Sequence, residues 1–164
     1  MSAIPVVHEL AMQYYRNIAD SAAFVFTSLV QTDLKQKKVF QRRLASLPND
    51  IIIKFDFEAD FPGYFAFFFS LKNAYAICER LVPGIDNSFF DENHLDILGE
   101  IGNMISGNTL SKLVSVRADI RLEPPRLVAF HEILSQEKGF LTYSSNFDIE
   151  LGKMGVLLAV KRPE

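Results

Sequence analysis

Residues Ile51 to Ser70 read IIIKFDFEADFPGYFAFFFS, and the fold turns on how this stretch is parsed. Phe61-Pro62-Gly63 is turn chemistry and divides it into the two strands of a hairpin. In the first strand Ile53, Phe55 and Phe57 alternate with Lys54, Asp56 and Glu58, which predicts one face in a core and the other toward water. The second strand, Tyr64 to Phe69, is apolar throughout, the pattern of a strand at a sheet centre covered on both faces.

Upstream of the hairpin, Val6, Val7, Leu10, Tyr14, Ile18, Ala22, Phe26 and Leu29 recur at helical spacing. They predict one long amphipathic helix from Pro5 to Val30, with the proline in its first turn. The connection QTDLKQKKVFQRRLASLPND (residues 31–50) crowds together Lys35, Lys37, Lys38, Arg42 and Arg43. A strand and a short helix both fit this segment. It is either a solvated connection or a docking patch for an acidic partner.

Downstream, Ser70 is placed to cap a helix in which Leu71, Ala74, Tyr75, Cys78 and Leu81 share a face, and Pro83-Gly84 ends it. A second long helix covers Leu95 to Leu113, LDILGEIGNMISGNTLSKL, with Asp91 or Asn93 as its cap. Period two returns at Val116, Ala118, Ile120 and Leu122, and Pro124-Pro125 closes that strand. RLVAFHEIL (residues 126–134) is expected to be a further strand. Leu141 to Leu151 alternates as a long strand, which GKMG (residues 152–155) turns back into VLLAVK. This order argues for an α+β fold, two long helices packed on a largely antiparallel sheet. A length of 164 residues suits a single domain over residues 1–164.

Composition narrows the function classes. Hydrophobic residues are 49% and charged residues 23%, the profile of a soluble globular domain. A net charge of −3 offers no global attraction to nucleic acid. No apolar run approaches the roughly 18–20 residues that span a bilayer, so no membrane role is expected. The single cysteine, Cys78, has no partner for an internal disulfide, and with no signal peptide the expected location is the cytoplasm.

The second long helix carries three glycines, Gly99, Gly102 and Gly107, each costing about 0.8–1 kcal/mol relative to alanine in a helix interior. At 100° per residue its side chains sort into three faces. Asp96, Glu100 and Asn103 form a polar stripe about 60° wide, with Gly107 inside it. Ile97, Leu98, Ile101, Met104 and Ile105 form an apolar face, and Gly99, Gly102 and Ser106 a bare one. A bare face admits another backbone closely. It serves either internal packing beside a solvated stripe, or a helix built to be pressed against a partner. Geometry alone leaves both open.

Other chemistry finds little support. GNMISGNT (residues 102–109) approaches a phosphate-binding loop, but Asn108 stands where its lysine belongs and no strand precedes it. Asp96 and Glu100 could share a metal, yet no histidine or cysteine has the spacing to complete a site. His8, His94 and His131 are scattered and accompany no nucleophile arrangement. Cys78 lies on an apolar helix face, as a core residue would.

Asp96-x-x-x-Glu100-x-x-Asn103, continued by Gly107-Asn108, resembles the signature of the CheC/CheX family of bacterial chemotaxis phosphatases. The surroundings LGEIGNMISGN are similar to the CheX branch. The order of helices and strands around the motif also resembles that CheC-like fold. The first helix shows no second copy: HELAMQYYRNIADS has Glu9, but Met12 three residues on. A single motif again resembles the CheX branch, whose members commonly dimerise.

The resemblance implies a phosphatase acting on the aspartyl phosphate of a CheY-type response regulator. Glu100 and Asn103 would be catalytic, with Asn103 orienting the attacking water and Glu100 docking to the regulator's lysine. Asp96 and Gly107 would be supporting residues. It further implies a homodimer, no metal or cofactor of the chain's own, and Mg2+ carried by the partner's receiver domain. The alternative is a non-catalytic binding module in a signalling or flagellar assembly. The basic segment 35–43 and the phenylalanine-rich hairpin depart from the family pattern.

Overall fold

The computed structural model describes residues 4–31, 35–40, 44, 47–59, 61–114 and 120–164. Helix α1 (Ile4–Val25) runs into a π-helical turn, Phe26–Val30. It stops at Gln31, whose left-handed φ of 56° lets its N–H reach back to the Phe26 carbonyl. The basic connection contributes strand β1 (Lys35–Phe40). Then come β2 (Ile51–Glu58), β3 (Gly63–Phe69), α2 (Leu71–Leu81) and the 28-residue α3 (Asn87–Val114). Short strands β4 (Arg121–Leu122) and β5 (Arg126–Leu127), helix α4 (Phe130–Gln136) and the long hairpin β6 (Phe140–Ile149) and β7 (Gly152–Lys161) complete the order.

All paired strands run antiparallel in one sheet of order β1-β6-β7-β3-β2-β4, with β5 also paired to β2. The predicted hairpin forms with Ile51 opposite Phe69 and Phe57 opposite Gly63. Strand β3 is held by β2 on one side and β7 on the other, and all of its residues are buried. Its apolar sequence follows from that position.

The two sheet faces are covered by different elements. Phe55, Phe57, Phe65, Phe67 and Phe69 meet Tyr14 and Ile18 of α1 and Leu98, Ile101 and Ile105 of α3 in the main core. Phe55 stacks on Phe65 at 4.9 Å between ring centroids. Burying a phenylalanine is worth about 1.5–3 kcal/mol, so this aromatic layer anchors both long helices. On the opposite face Ile52, Tyr64, Ala66, Phe68, Leu157 and Ala159 pack with Ile133 of α4 and with Leu44 and Leu47.

That second layer corrects two expectations. Residues 126–134 are not one strand: β5 is Arg126–Leu127, and after Val128 and Ala129 helix α4 starts at Phe130. A short apolar run fits a helix as well as a strand, and here Ile133 is carried onto the sheet by a helical turn. Consequently the polar side of β2 is not all in water. Lys54 is 2% exposed. Its ammonium lies 3.0 Å from Asp56 Oδ1, donates to Gln136 Oε1 at 3.2 Å and sits 4.3 Å from the centroid of the Tyr64 ring. A buried charge needs such partners. Arg126 extends the network from Asp56 (3.3 Å) to Glu132 (3.0 Å).

Smaller differences have equally local causes. The last hairpin turns at Glu150-Leu151, ahead of GKMG, since Gly152 (φ 128°) already pairs with Ile149. Val6 and Leu29, assigned to the apolar face of α1, are exposed. Ser70 caps α2 as expected, accepting from the Asn73 N–H at 3.1 Å. Arg42 and Arg43, and Val116 and Ala118, lie outside the described residues.

Candidate functional site

Helix α3 starts roughly two turns earlier than expected from Leu95. Its cap is Asp86, whose Oδ1 accepts from the Phe89 N–H at 2.8 Å, instead of Asp91 or Asn93. Asn93 lies within the helix, donating to the Phe89 carbonyl at 2.9 Å. Phe90 then enters the core beside Tyr75, with 5.3 Å between their rings. That contact fixes where the helix leaves α2.

Along α3, Leu98, Gly99, Ile101, Gly102, Ile105, Ser106 and Thr109 are buried. The bare face therefore joins the apolar face against the sheet. A Cβ on Gly102 would lie 2.2 Å from Phe55 Cζ, and one on Gly99 3.2 Å from Pro125 Cγ. These two glycines serve internal packing. Ser106 and Thr109, buried beside them, donate back to the carbonyls of Gly102 (2.6 Å) and Ile105 (2.8 Å), so neither hydroxyl is left unsatisfied.

The remaining arc is exposed. It carries Asp96, Glu100, Asn103 and Gly107, the four residues singled out in the sequence. Asn103 Nδ2 donates to Glu100 Oε1 at 3.4 Å, a long bond between exposed groups that holds the two loosely together. Asp96 lies one turn before Glu100 on the same arc. A Cβ on Gly107 would meet nothing within 4 Å among the described residues. The helix surface is therefore low there, directly beside Asn103.

Met104 departs from expectation. Placed on the apolar face by the 100° rule, it is 45% exposed and borders the polar arc. It faces the end of α1, where Phe24, Val25, Ser28 and Leu29 line a groove with Met104, Gly107 and Asn108, about 360 Å³ in volume. Phe24 is 63% exposed. Sequence reading passed over Phe24, although at 3.6 residues per turn it stands directly in line with Val6, and that shared edge of α1 is exposed.

Of the other reactive groups, His131 is exposed on α4, away from α3, while His8, His94 and Cys78 are engaged or buried. His8 Nδ1 is 2.7 Å from Tyr143 Oη, and His94 Nδ1 is 2.8 Å from the Phe90 carbonyl. Cys78 is buried in the main core, where desolvation pushes its thiol up to about 11. Among the described residues no three His, Cys, Asp or Glu side chains are grouped to hold a metal ion.

A family model described as Chemotaxis phosphatase CheX matches residues 51–145, a span that includes all of α3. The chain belongs to the CheX family. A curated relative, the CheY-P phosphatase CheX of Thermotoga maritima, is 22% identical over 95 residues. The match covers 58% of this chain and 61% of that CheX protein. Solved structures share the fold across nearly the whole chain. The chemotaxis protein CheX of Desulfovibrio desulfuricans aligns with a TM-score of 0.75 at 12% identity, over 91% of this chain and 99% of that one. The CheX–CheY–BeF3–Mg2+ complex of Borrelia burgdorferi aligns at 0.73 and 16% identity, over 91% and 98%. The architecture is thus CheC-like, as the motif implied. No helix among the described residues is long and apolar enough to cross a membrane.

Proposed function

We propose that this CheX-family chain accelerates hydrolysis of the aspartyl phosphate on a CheY-type response regulator. One observation carries the reading: Glu100 and Asn103 stand together, exposed, on the arc of α3 that faces away from the core. The family match and the CheX–CheY complex of a structural neighbour support the choice of partner.

An amide is a poor base and a poor nucleophile, but it donates and accepts hydrogen bonds at once. With Asn103 Nδ2 turned toward Glu100, Oδ1 can accept from a water and aim its lone pair at phosphorus. As the water oxygen bonds to phosphorus, the bond to the aspartyl oxygen breaks. A free carboxylate and inorganic phosphate result, the phosphate keeping the water's protons. Glu100 keeps Oε1 toward Asn103 and offers Oε2 to the regulator's lysine, and so sets the depth of the complex. Asp96 adds negative charge to the same arc, and the low surface at Gly107 lets the regulator's loops come near. Mg2+ held by the regulator would supply charge neutralisation at the phosphoryl oxygens.

The test is the decay of phosphorylated CheY-type receivers from the same cell, with the parent chain and with Asn103→Ala. Acceleration by the parent alone is the expected result. If no receiver decays faster with the parent, α3 is a docking face of a non-catalytic binding module.

A further inference from the structure

We infer that the groove between the end of α1 and α3 is a second recognition point for the same receiver, seating an apolar side chain beside the lysine that Glu100 holds. This rests on the phosphatase reading above and adds to it what selects the receiver.

Three observations point to this occupant. First, the groove is continuous with the polar arc, because Met104, Gly107 and Asn108 belong to the same stretch of α3 as Glu100 and Asn103. A protein pressed onto Asn103 covers the groove as well. Second, the lining is uncharged: Phe24, Val25, Leu29 and Met104 with Ser28 and Asn108 at its polar points. Asp96 and Glu100 supply the negative charge alongside, so the whole footprint fits a partner carrying a cation next to an apolar side chain. Third, a volume of about 360 Å³ lies at the small end of ligand-site sizes and takes one or two side chains of a protein surface.

Local structure keeps this groove open. Phe24 and Leu29 project into water, while Phe26 and Val30 of the π-helical turn are buried in the core. Glycine at 107 leaves the opposite wall low. Met104 is flexible enough to follow different apolar shapes. The wall at the end of α1 carries none of the residues of the polar stripe. A receiver is therefore sorted by α1, while α3 provides the chemistry.

The experiment uses the full chain in an Asn103→Ala background, so that phosphorylated receiver persists. Receivers from the same cell, held phosphorylated with a small phosphodonor and Mg2+, are titrated against this chain and against its Phe24→Ser and Leu29→Ser derivatives. Both side chains are exposed, so the folded state is expected to persist; far-UV circular dichroism and melting check it. A roughly tenfold or greater rise in Kd for Phe24→Ser, and a smaller one for Leu29→Ser, is expected. Unchanged Kd in both overturns the groove while leaving the phosphatase reading intact. If no phosphorylated receiver binds the Asn103→Ala chain at all, the reading itself fails and takes the groove with it. Sedimentation velocity is run alongside: a loss of mass in Phe24→Ser assigns the groove to a second copy of this chain and also overturns the proposal.

Discussion

Gly102 and Gly107 lie on one helix, little more than a turn apart, and answer opposite demands. At Gly102 a methyl group would collide with the Phe55 ring, so the residue exists to let α3 lie down on the sheet. At Gly107 a methyl group would meet nothing among the described residues, so the fold itself has no need of glycine there. Both forfeit helix propensity, but only one recovers it through packing inside the molecule. The difference teaches how to separate a structural glycine from a functional one: by what stands opposite it.

The largest effect that sharpens this contrast is on chemistry. Asn103→Ala should lower receiver dephosphorylation by at least about 100-fold, the scale of losing a positioned reactant. Its urea midpoint should hold or rise slightly, because the side chain is exposed, makes one long hydrogen bond, and gives way to a better helix former. Phosphate release and denaturation, measured on the same preparation, check both halves. An active Asn103→Ala protein would sink the mechanism.

Gly102→Ala reverses the pattern. Crowding Phe55 should cost about 1–3 kcal/mol of stability by overpacking, offset only in part by the better helix former. Activity per folded molecule should persist. A stability gain there would show that α3 can move off the sheet without penalty.

Glu100→Ala should raise KM by about tenfold with a smaller change in kcat, as loss of one charge-assisted docking contact predicts. An equal fall in kcat would assign Glu100 to the transition state instead. Gly107→Ala carries the smallest effect and the most pointed comparison. It should stabilise the chain by up to about 1 kcal/mol, through helix propensity alone, yet weaken receiver binding. Thermal melting and titration with receiver decide it; unchanged binding would leave Gly107 without the role assigned here.

The buried side also has a signature in alkali. Burial raises the Cys78 thiol from 9.0 to about 11 and moves the Tyr15 and Tyr64 phenols upward as well, Tyr15 despite its bond to Ser145. A raised value means that the fold favours the protonated form. The stability linked to Cys78 is thus fully present below pH 9 and is lost as pH rises toward about 11. Cys78→Ala should flatten the urea midpoint over that window.

Much of this was legible in the sequence, for physical reasons that differ by element. The hairpin was readable because Pro62-Gly63 punctuates two strands, and β3 because burial on both faces leaves no room for a polar residue. The stripe on α3 was readable because 3.6-residue periodicity needs no knowledge of neighbours. What escaped depended on neighbours. Lys54 looked solvated until α4 was found above it, and α4 looked like a strand because seven residues carry too little periodicity to decide. Met104 fell on the apolar face by angle, but that edge of α3 meets an open groove instead of core.

The placement of β3 bears finally on how the chain stays out of aggregates. GYFAFFF has no charge and no proline, and its aromatic character suits stacking with copies of itself. Flanked by β2 and β7, it offers no unpaired backbone edge, and α4 with Leu44 and Leu47 covers its second face. Local fraying at β1 or β4, the outer strands, leaves it paired. Only an opening that peels away a full neighbouring strand frees it, so its exposure is tied to global unfolding. The most hazardous segment of the sequence is thereby also among the last to reach water.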